Sequence, residues 1–303
     1  MDWDNLRFFL ELSRAGRLTT AARRLSVDHT TVSRRVQALE KSLGVALFLR
    51  ETNGYVLTEA GRKLLPQVEL MEGASVIIEQ ALPNSGDSLS GRVRVGATEG
   101  YGTMMLAGQL ADLSARYPHL HIDLLALPRA VRLSRHEADI VITLERPERG
   151  PFIITKLTDY ALRLYASRDY LASKGPIKTR DQLVKHRFVS YVEDLVFSKE
   201  LLFLDEIAGS GEVALRSTSV LAQQEAIAAG AGIGILPAFS ADKDARLQLV
   251  MPERINFVRT FWMLMPIELK NIARMRTTWD HLKASAEAAS PIVMGRAPVQ
   301  LFR

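Results

Sequence analysis

The hydrophobic positions near the start of the chain recur at the spacing of short amphipathic helices. Three groups of such positions follow one another, at residues 8–12, 18–25 and 32–43. Residues three or four apart share one face of an α-helix, so each group predicts one helix with one buried face. Only Ser26-Val27-Asp28 separates the second group from the third, and Asp28 is expected to cap the third helix through its side chain. The pattern predicts a helix-turn-helix.

The stretch after the third helix alternates differently and predicts a β-hairpin. Apolar residues at 47–49 and 55–57 flank Asn53-Gly54, the dipeptide most typical of a two-residue hairpin turn. A hairpin that follows a helix-turn-helix is a wing, and Arg50 at its base is placed to meet a phosphate backbone. An ordinary surface hairpin is the alternative.

From Thr58 the hydrophobic period changes to alternate steps of three and four residues, which predicts one long helix with a heptad seam. Thr58 is expected to cap its start, and Pro66 removes one backbone hydrogen bond near its second turn. Such a seam favours a partner helix, and packing of the helix on its own domain is the alternative. The seam positions are Gly61, Leu64, Val68, Met71, Ser75, Ile78 and Leu82.

The remaining two hundred residues alternate between short apolar runs and helical patterns, which predicts an α/β fold with mostly parallel strands. A Gly-, Ser- and Pro-rich stretch at 83–91 precedes them and predicts a hinge. Helices are expected near 102–115 and 219–229. The predicted strands read RVRVGAT, HIDLLAL, DIVITL, FIITKL, ALRLYAS, FVSYV, VALRS, GIGILP and RTFWMLM.

Charge is concentrated at the start of the chain. The net charge is +5, and residues 1–65 hold 11 Lys and Arg against 7 Asp and Glu. A basic excess confined to one small segment is typical of a module that binds a polyanion. The first residues, MDWDNLRFF, are acidic where a secretory signal is basic, no apolar run is long enough for a membrane span, and there is no cysteine. We therefore expect a cytoplasmic protein.

The polar face of the third helix has the side chains of a major-groove reader. Arginine pairs with guanine, glutamine with adenine, and threonine methyls contact thymine methyls. Arg35 lies nearer the buried stripe, so its stem is expected along the core edge with its guanidinium at a phosphate. The alternative for any amphipathic helix is a solvated polar face. The candidate residues on this helix are His29, Thr30, Thr31, Ser33, Arg34, Arg35, Gln37 and Lys41.

Residues 1–90 closely resemble LysR-type transcriptional regulators. The resemblance lies in AGRLTTAARRLSVDHTTVSRRVQALEKSLGVALFLR at 15–50 and LTEAGRKLLP at 57–66. It implies a winged helix-turn-helix DNA-binding domain at 1–58, a linker helix and hinge at 59–90, and a two-lobe α/β effector-binding domain at 91–303. The second domain is expected to resemble type II periplasmic binding proteins, with lobe 1 at about 91–160 and 266–290 and lobe 2 at about 161–265.

The resemblance also implies function and partners. A regulator of this family binds double-stranded promoter DNA and a small-molecule effector between its lobes, needs no cofactor, and forms a homodimer through the linker helix and a homotetramer from two dimers. RNA polymerase is a further candidate partner. A solute-binding protein with the same lobes and an enzyme on the two-lobe fold are the alternatives.

Ligands of such folds enter at the carboxyl ends of the strands. The resemblance places the effector residues there: Thr98, Glu99, Tyr101, Arg129 and Thr143 from one lobe, and Tyr191, Ser217, Thr218, Ser219 and Ile235 from the other. Thr218 and Ser219 open a helix and either bind an anion or simply cap that helix. A carboxylate at Glu99 disfavours an anionic effector unless Arg129 or another cation compensates it, and helix capping by Glu99 is the alternative.

Three signals of catalysis or metal binding are weak. GAGIGILP at 230–237 follows a helix and enters a strand, the reverse of a dinucleotide fingerprint, so a helix-terminating turn is expected. His119 and His121 share the spacing of one strand face without a third metal ligand nearby, and no metal site is predicted. The serines lack a nucleophile elbow. The sequence therefore favours a regulator over an enzyme.

Overall fold

The computed structural model describes residues 2–51, 54–81, 89–130, 133, 137–148, 150–203, 207 and 211–296, without the side chains of 70 and 73–81. The chain forms two compact units, Met1–Gly86 and Asp87–Arg303. Within the described residues, no helix is both long and apolar enough to cross a membrane.

The first unit is a helix-turn-helix followed by a hairpin and a long helix, as predicted. The hairpin strands are antiparallel, with Phe48 opposite Leu57 and Glu51 opposite Gly54, and the predicted turn residue Asn53 lies outside the described residues. The elements are α1 (Asp4–Ala15), α2 (Leu18–Leu25), α3 (His29–Leu43), β1 (Phe48–Glu51), β2 (Gly54–Leu57) and α4 (Glu59–Ala81).

The predicted apolar stripes form the core of this unit. Val32, Val36 and Leu39 of α3 are buried against α1 and α2, whereas Leu43 at the helix end is 37% exposed. Asp28 is the N-cap residue of α3, but the prediction of a side-chain cap is wrong. The Asp28 carbonyl instead accepts the backbone N–H groups of Thr31 and Val32, at 3.0 and 3.3 Å, and so closes the first helical turn.

The first half of the seam on α4 packs on its own domain. Val68 is buried in the core of this unit, and the partly buried Leu64 and Met71 pack against the same core. A Cβ on Gly61 would lie 2.3 Å from the Leu47 carbonyl oxygen, so glycine permits the close approach of α4 to the hairpin. The Thr58 hydroxyl caps the helix as predicted, by accepting the Gly61 N–H at 3.0 Å. The alternative of intradomain packing therefore holds from Gly61 to Met71.

The second unit is built on one nine-stranded sheet. Its order is β4-β3-β5-β11-β6-β9-β7-β8, with β10 paired to β6. The strands are β3 (Gly91–Thr98), β4 (Leu120–Leu127), β5 (Ile140–Thr143), β6 (Phe152–Ser167), β7 (Phe188–Ser190), β8 (Val213–Arg216), β9 (Ile233–Pro237), β10 (Leu247–Leu249) and β11 (Asn256–Pro266).

Two parallel groups of strands define the two lobes. Lobe 1 surrounds β3, β4 and β5, which are parallel, and lobe 2 surrounds β7, β8 and β9, which are parallel as well. Strands β6 and β11 are antiparallel and run through both lobes. The pairing register of β11 with β6 shifts between Phe261 and Trp262. Next to this shift, the Thr260 hydroxyl donates to the Asp159 carboxylate at 2.7 Å.

Helices cover the sheet and carry residues into the cleft between the lobes. A short α5 (Glu99–Tyr101) continues through a π-helical turn (Gly102–Leu106) into α6 (Ala107–Arg116), close to the predicted helix. Lobe 2 carries α7 (Arg168–Lys174), α8 (Arg180–Leu183), α9 (Val220–Ala228) and α10 (Ala238–Ala241). The long α11 (Ala273–Val293) was not predicted. Its His281 Nε2 lies 2.7 Å from the Gln109 carbonyl oxygen, and Arg163 of β6 donates to the carbonyls just beyond its end.

Candidate DNA-binding surface and ligand cleft

The outward face of α3 is polar and accessible. Thr30, Arg34, Gln37 and Lys41 are exposed, whereas Thr31 and Ser33 at the flanks are half-buried. Gln37 Nε2 donates weakly to the Ser33 hydroxyl at 3.5 Å. His29 is exposed at the helix start, where free backbone N–H groups favour a phosphate. We call the side chains of these seven residues, His29, Thr30, Thr31, Ser33, Arg34, Gln37 and Lys41, the α3 face.

Arg35 is held by helix α1 and differs from its neighbour Arg34. Its guanidinium lies 3.1 Å from the Asp2 carboxylate and 3.6 Å from that of Asp4, and it donates to Asn5 Oδ1 at 3.3 Å. It also lies 5.7 Å from the ring centroid of Phe8. The stem follows the core edge as expected, but the charged end lies among α1 side chains. Arg35 would have to leave these partners to reach a phosphate.

The hairpin is fixed to α3 by one carboxylate. Glu40 accepts the backbone N–H groups of Leu47 and Phe48, at 2.7 and 3.1 Å. On the other side, the N–H of Tyr55 donates to the Gly16 carbonyl at 2.7 Å. Arg50 is exposed on β1, opposite Tyr55. The wing and the α3 face therefore form one rigid surface, on which Glu40 is turned towards the hairpin backbone.

The cleft of the second unit is an open pocket, and about 430 Å³ of space lies between its walls and at its mouth, part of it open solvent. Lobe 1 contributes Thr98, Glu99, Gly100, Tyr101, Pro128 and Leu144. Lobe 2 contributes Tyr191, Phe197, Leu201, Thr218, Val220, Pro237 and Phe239, and the strands that pass between the lobes contribute Tyr160, Leu162 and Phe261. A ligand in this cleft contacts both lobes.

Five of the ten predicted effector residues line the cleft: Thr98, Glu99, Tyr101, Tyr191 and Thr218. The other five lie elsewhere. Arg129 is more than half exposed and forms an ion pair with Glu137 at 3.0 Å. Thr143 is half-buried on β5 opposite Trp262. Ile235 lines a second, smaller cavity of about 270 Å³, which it shares with Tyr191.

The hydroxyls of Ser217 and Ser219 are used within their own loop. Ser219 is the N-cap of α9 and accepts the Ala222 N–H at 3.1 Å, and the Ser217 hydroxyl accepts the Ser219 N–H at 3.1 Å. The capping alternative therefore describes Ser219, whereas the Ser217 hydroxyl holds the turn that precedes the helix. Thr218, between them, is the one of the three that lines the cleft.

Aromatic rings form one wall of the cleft. Phe261 lies between Tyr101 and Tyr160, with ring centroids 4.3 and 4.2 Å apart, and Phe239 packs against both tyrosines at 5.9 and 6.2 Å. Sequence reasoning missed Tyr160, Phe239 and Phe261. In sequence they look like ordinary core positions of strands and a short helix, and no pattern separates a cleft wall from a core.

The tyrosines of the cleft stay protonated. Burial raises the pKa of Tyr101, Tyr160 and Tyr191 well above its ordinary value, and the Glu99 carboxylate raises that of Tyr191 further. The Tyr101 hydroxyl is buried without a hydrogen-bond partner among the described residues. A neutral phenol with free bonding capacity suits a ligand with polar groups.

The weak catalytic and metal signals have structural explanations. Gly230 has a φ of 84° and ends α9 before β9 begins, as expected for a helix-terminating turn. His119 and His121 are exposed, and the described part of the chain contains no group of three side chains suited to a metal ion.

Comparison with known proteins agrees with both units. The family model for the bacterial regulatory helix-turn-helix protein, lysR family, matches residues 3–62, and the model for the LysR substrate binding domain matches residues 86–287. The Mau operon transcriptional activator of Paracoccus denitrificans is 30% identical over 284 residues, which cover 92% of this chain and 95% of that protein.

Two solved structures share the fold across nearly the whole chain. Full-length AphB, a Vibrio cholerae virulence activator, has a TM-score of 0.60 at 21% identity and covers 94% of this chain and 99% of its own. Full-length CbnR complexed with its target DNA has a TM-score of 0.60 at 19% identity, over 94% of this chain and 100% of its own. The chain belongs to the LysR family of bacterial transcriptional regulators, and it is a DNA-binding regulator with an effector-binding domain rather than an enzyme.

Proposed function

We propose that this regulator reads an interrupted palindrome near a promoter with two copies of its α3 face, and that a ligand in the interlobe cleft changes how it does so. The DNA-binding part rests on one observation: an exposed row of Thr30, Arg34, Gln37 and Lys41 stands beside a wing that Glu40 holds in place. Promoter DNA as partner places the protein in the cytoplasm.

Each side chain of the proposed DNA surface has a role that follows from its position. Arg34 and Gln37, at the centre of the α3 face, read base edges in the major groove. Lys41 and Arg50 contact phosphates on either side, and His29 does so at the helix N-terminus. Thr30, Thr31 and Ser33 supply short contacts to bases or sugars. Arg35 supports α3 from behind through Asp2 and Asp4.

The proposed assembly is a homodimer through the second half of α4, and two dimers form a homotetramer. One half-site offers few base contacts, and two-fold symmetry doubles them. Since Leu64, Val68 and Met71 pack on their own domain, the dimer seam is assigned to Ser75, Ile78 and Leu82. Leu82 and the side chains of Ser75 and Ile78 lie outside the described part of the chain.

The proposed switch follows from the lining of the cleft. Thr98 and Glu99 come from lobe 1, and Tyr191 and Thr218 come from lobe 2. A ligand that contacts all four favours one relative arrangement of the lobes, and only such differential affinity shifts a conformational equilibrium. In the tetramer, a change between the lobes alters the spacing of the DNA-binding units, and hence DNA bending or the contact with RNA polymerase.

The test begins with selection of an operator from random DNA by the full chain. Footprinting on that operator, with and without a ligand found by thermal-shift screening, then measures the protected length. We expect two protected half-sites related by two-fold symmetry, and a protected length that changes with the ligand. A chain that protects no defined sequence contradicts the DNA-reading part. A sequence-specific footprint that no stabilising ligand alters contradicts the switch.

A further inference from the structure

Glu99 lies in the wall of the cleft with one carboxylate oxygen that has no hydrogen-bond partner among the described residues. Among the described lining residues it is the one charged side chain. Its Oε2 is shielded from solvent and accepts no hydrogen bond from any described residue. Glu99 also acts electrostatically across the cleft, because it raises the pKa of Tyr191 on the other lobe.

Neither explanation available from the sequence accounts for this carboxylate. Thr98 is the N-cap of α5, and that helix start has no side-chain cap. Arg129 is bound to Glu137 and lies outside the cleft lining. Arg259 is paired with Glu200 and lies over the rings of Phe203 and Phe257, so its contacts in the structure are with these residues.

A polar atom shielded from water without a hydrogen-bond partner is costly, and native proteins leave few such atoms, as Glu99 Oε2 is here, without a reason. A neutral or anionic ligand would shield Glu99 further and leave it unpaired. A ligand cation would supply the missing charge and hydrogen-bond donors, and a charge-assisted bond is about twice as strong as a neutral one. The electrostatics of the cleft therefore select against carboxylates and phosphates.

The aromatic wall fits the same ligand class. Tyr101, Tyr160, Phe239 and Phe261 pack ring against ring, and Tyr191 lines the same cleft. These four rings are almost wholly buried and Phe261 lies between two of them, so together they offer the body of a ligand an apolar surface. The Tyr101 hydroxyl, which has no partner among the described residues, offers one further hydrogen bond.

We propose that the cleft binds an organic cation, a protonated amine on an aromatic or compact apolar body, with Glu99 as its charge partner. The inference rests on the proposed function, in which the cleft holds the effector. Glu99 receives the ammonium group from lobe 1, and the aromatic wall holds the body. The ligand thereby joins the two lobes, and the charge of Glu99 decides which ligand class enters.

The test is calorimetry on the full chain with benzylamine, phenethylamine and butylamine, each compared with the carboxylate and the alcohol on the same body. We expect the wild type to bind at least one amine about tenfold or more tighter than its alcohol, and to bind the carboxylate most weakly. Glu99→Gln should bring that amine close to the alcohol. Glu212→Gln is the matched control, because Glu212 is an exposed carboxylate paired with Arg187 outside the cleft.

Three results would overturn the inference: carboxylates that bind as tightly as the amines, amine affinity that Glu99→Gln leaves unchanged, or no amine binding at all. A second measurement needs no ligand. Glu99→Gln removes an uncompensated charge, so the Tm of the free protein should rise by a few degrees, about 2–4 °C for each 1 kcal/mol. A lower Tm would show that the carboxylate has a structural partner and would contradict the proposal.

The inference and the proposed function fail in different ways. If the amine binds through Glu99 and leaves the operator footprint unchanged, the proposed ligand class is supported and the proposed switch is contradicted. If a carboxylate or neutral ligand alters the footprint while no amine binds, the proposed switch is supported and the proposed ligand class is contradicted.

Discussion

Arg34 and Arg35 are adjacent on α3, and the structure gives them opposite roles. Arg34 is exposed on the α3 face, whereas Arg35 lies against Asp2, Asp4, Asn5 and Phe8 of the N-terminal helix region. Replacing each in turn by alanine is therefore a matched pair of perturbations. Arg34→Ala should affect DNA recognition without affecting folding, and Arg35→Ala should do the reverse.

The expected magnitudes follow from the contacts. A bidentate arginine contact to guanine contributes about 1–3 kcal/mol for each half-site, and a symmetric dimer loses it twice. Arg34→Ala should thus weaken operator binding by roughly 30-fold or more. The Arg35 partners Asp2 and Asp4 are 56% and 48% exposed, so solvent screening reduces each ion pair to about 0.5 kcal/mol. With the cation–π contact to Phe8, Arg35→Ala should lower stability by about 1–2 kcal/mol.

Two assays separate the roles. Fluorescence anisotropy on the selected operator and on a scrambled duplex measures specificity, and urea unfolding followed by circular dichroism measures stability. Arg34→Ala should lose operator affinity and keep its affinity for the scrambled duplex. Equal losses on both duplexes would make Arg34 a phosphate contact. Unchanged stability together with lost DNA binding in Arg35→Ala would refute the supporting role of that residue.

Three further predictions test other parts of the structure. Leu64→Glu should lower the stability of the first unit in urea, because Leu64 packs on its core. Ile78→Glu should instead dissociate the dimer, measured by sedimentation velocity, without loss of stability. If only Leu64→Glu dissociated the dimer, the assignment of the dimer seam to the second half of α4 would be contradicted. Thr98→Val should weaken the cleft ligand by about 1 kcal/mol in calorimetry and leave operator affinity without ligand unchanged; full ligand affinity would move the site away from Thr98. A hydrogen bond from Arg246 lowers the pKa of Asp244 to about 2, so this pair stabilises the fold above about pH 4, and the stabilisation is lost as the pH falls towards 2. Arg246→Leu should therefore lower the free energy of unfolding at pH 7 and make it depend less on pH between about 4 and 2. An unchanged pH dependence of unfolding would refute the pairing.

Local patterns in the sequence predicted the first unit because its core is built from helical repeats and short turns. The stripe of Val32, Val36 and Leu39, the hairpin strands and the Thr58 cap are all properties of neighbouring residues. The packing partner of α4 was beyond such patterns. A heptad seam reports only that one face is apolar, and Val68 satisfies that pattern equally well against its own core or against a second chain.

In the second unit, too, local sequence patterns predicted some features and missed others. The apolar runs located most strands, but FIITKL and ALRLYAS were predicted as two strands and form the single β6, which stays paired with β11 through the polar interval around Asp159. The cleft was found at the strand ends, where Thr98 and Thr218 lie. The pairing of Arg129 with Glu137 depends on the course of a loop, which no local pattern specifies.

The most direct test of an effector-responsive regulator is the reciprocity of its two binding reactions. Calorimetry measures the Kd of the cleft ligand for the free protein and for the protein saturated with operator, and anisotropy measures the operator Kd with and without ligand. If the cleft and the α3 face belong to one switch, the two ratios differ from one and are equal, because coupling free energy is the same from either site. A ligand whose Kd is the same with and without operator would contradict the account.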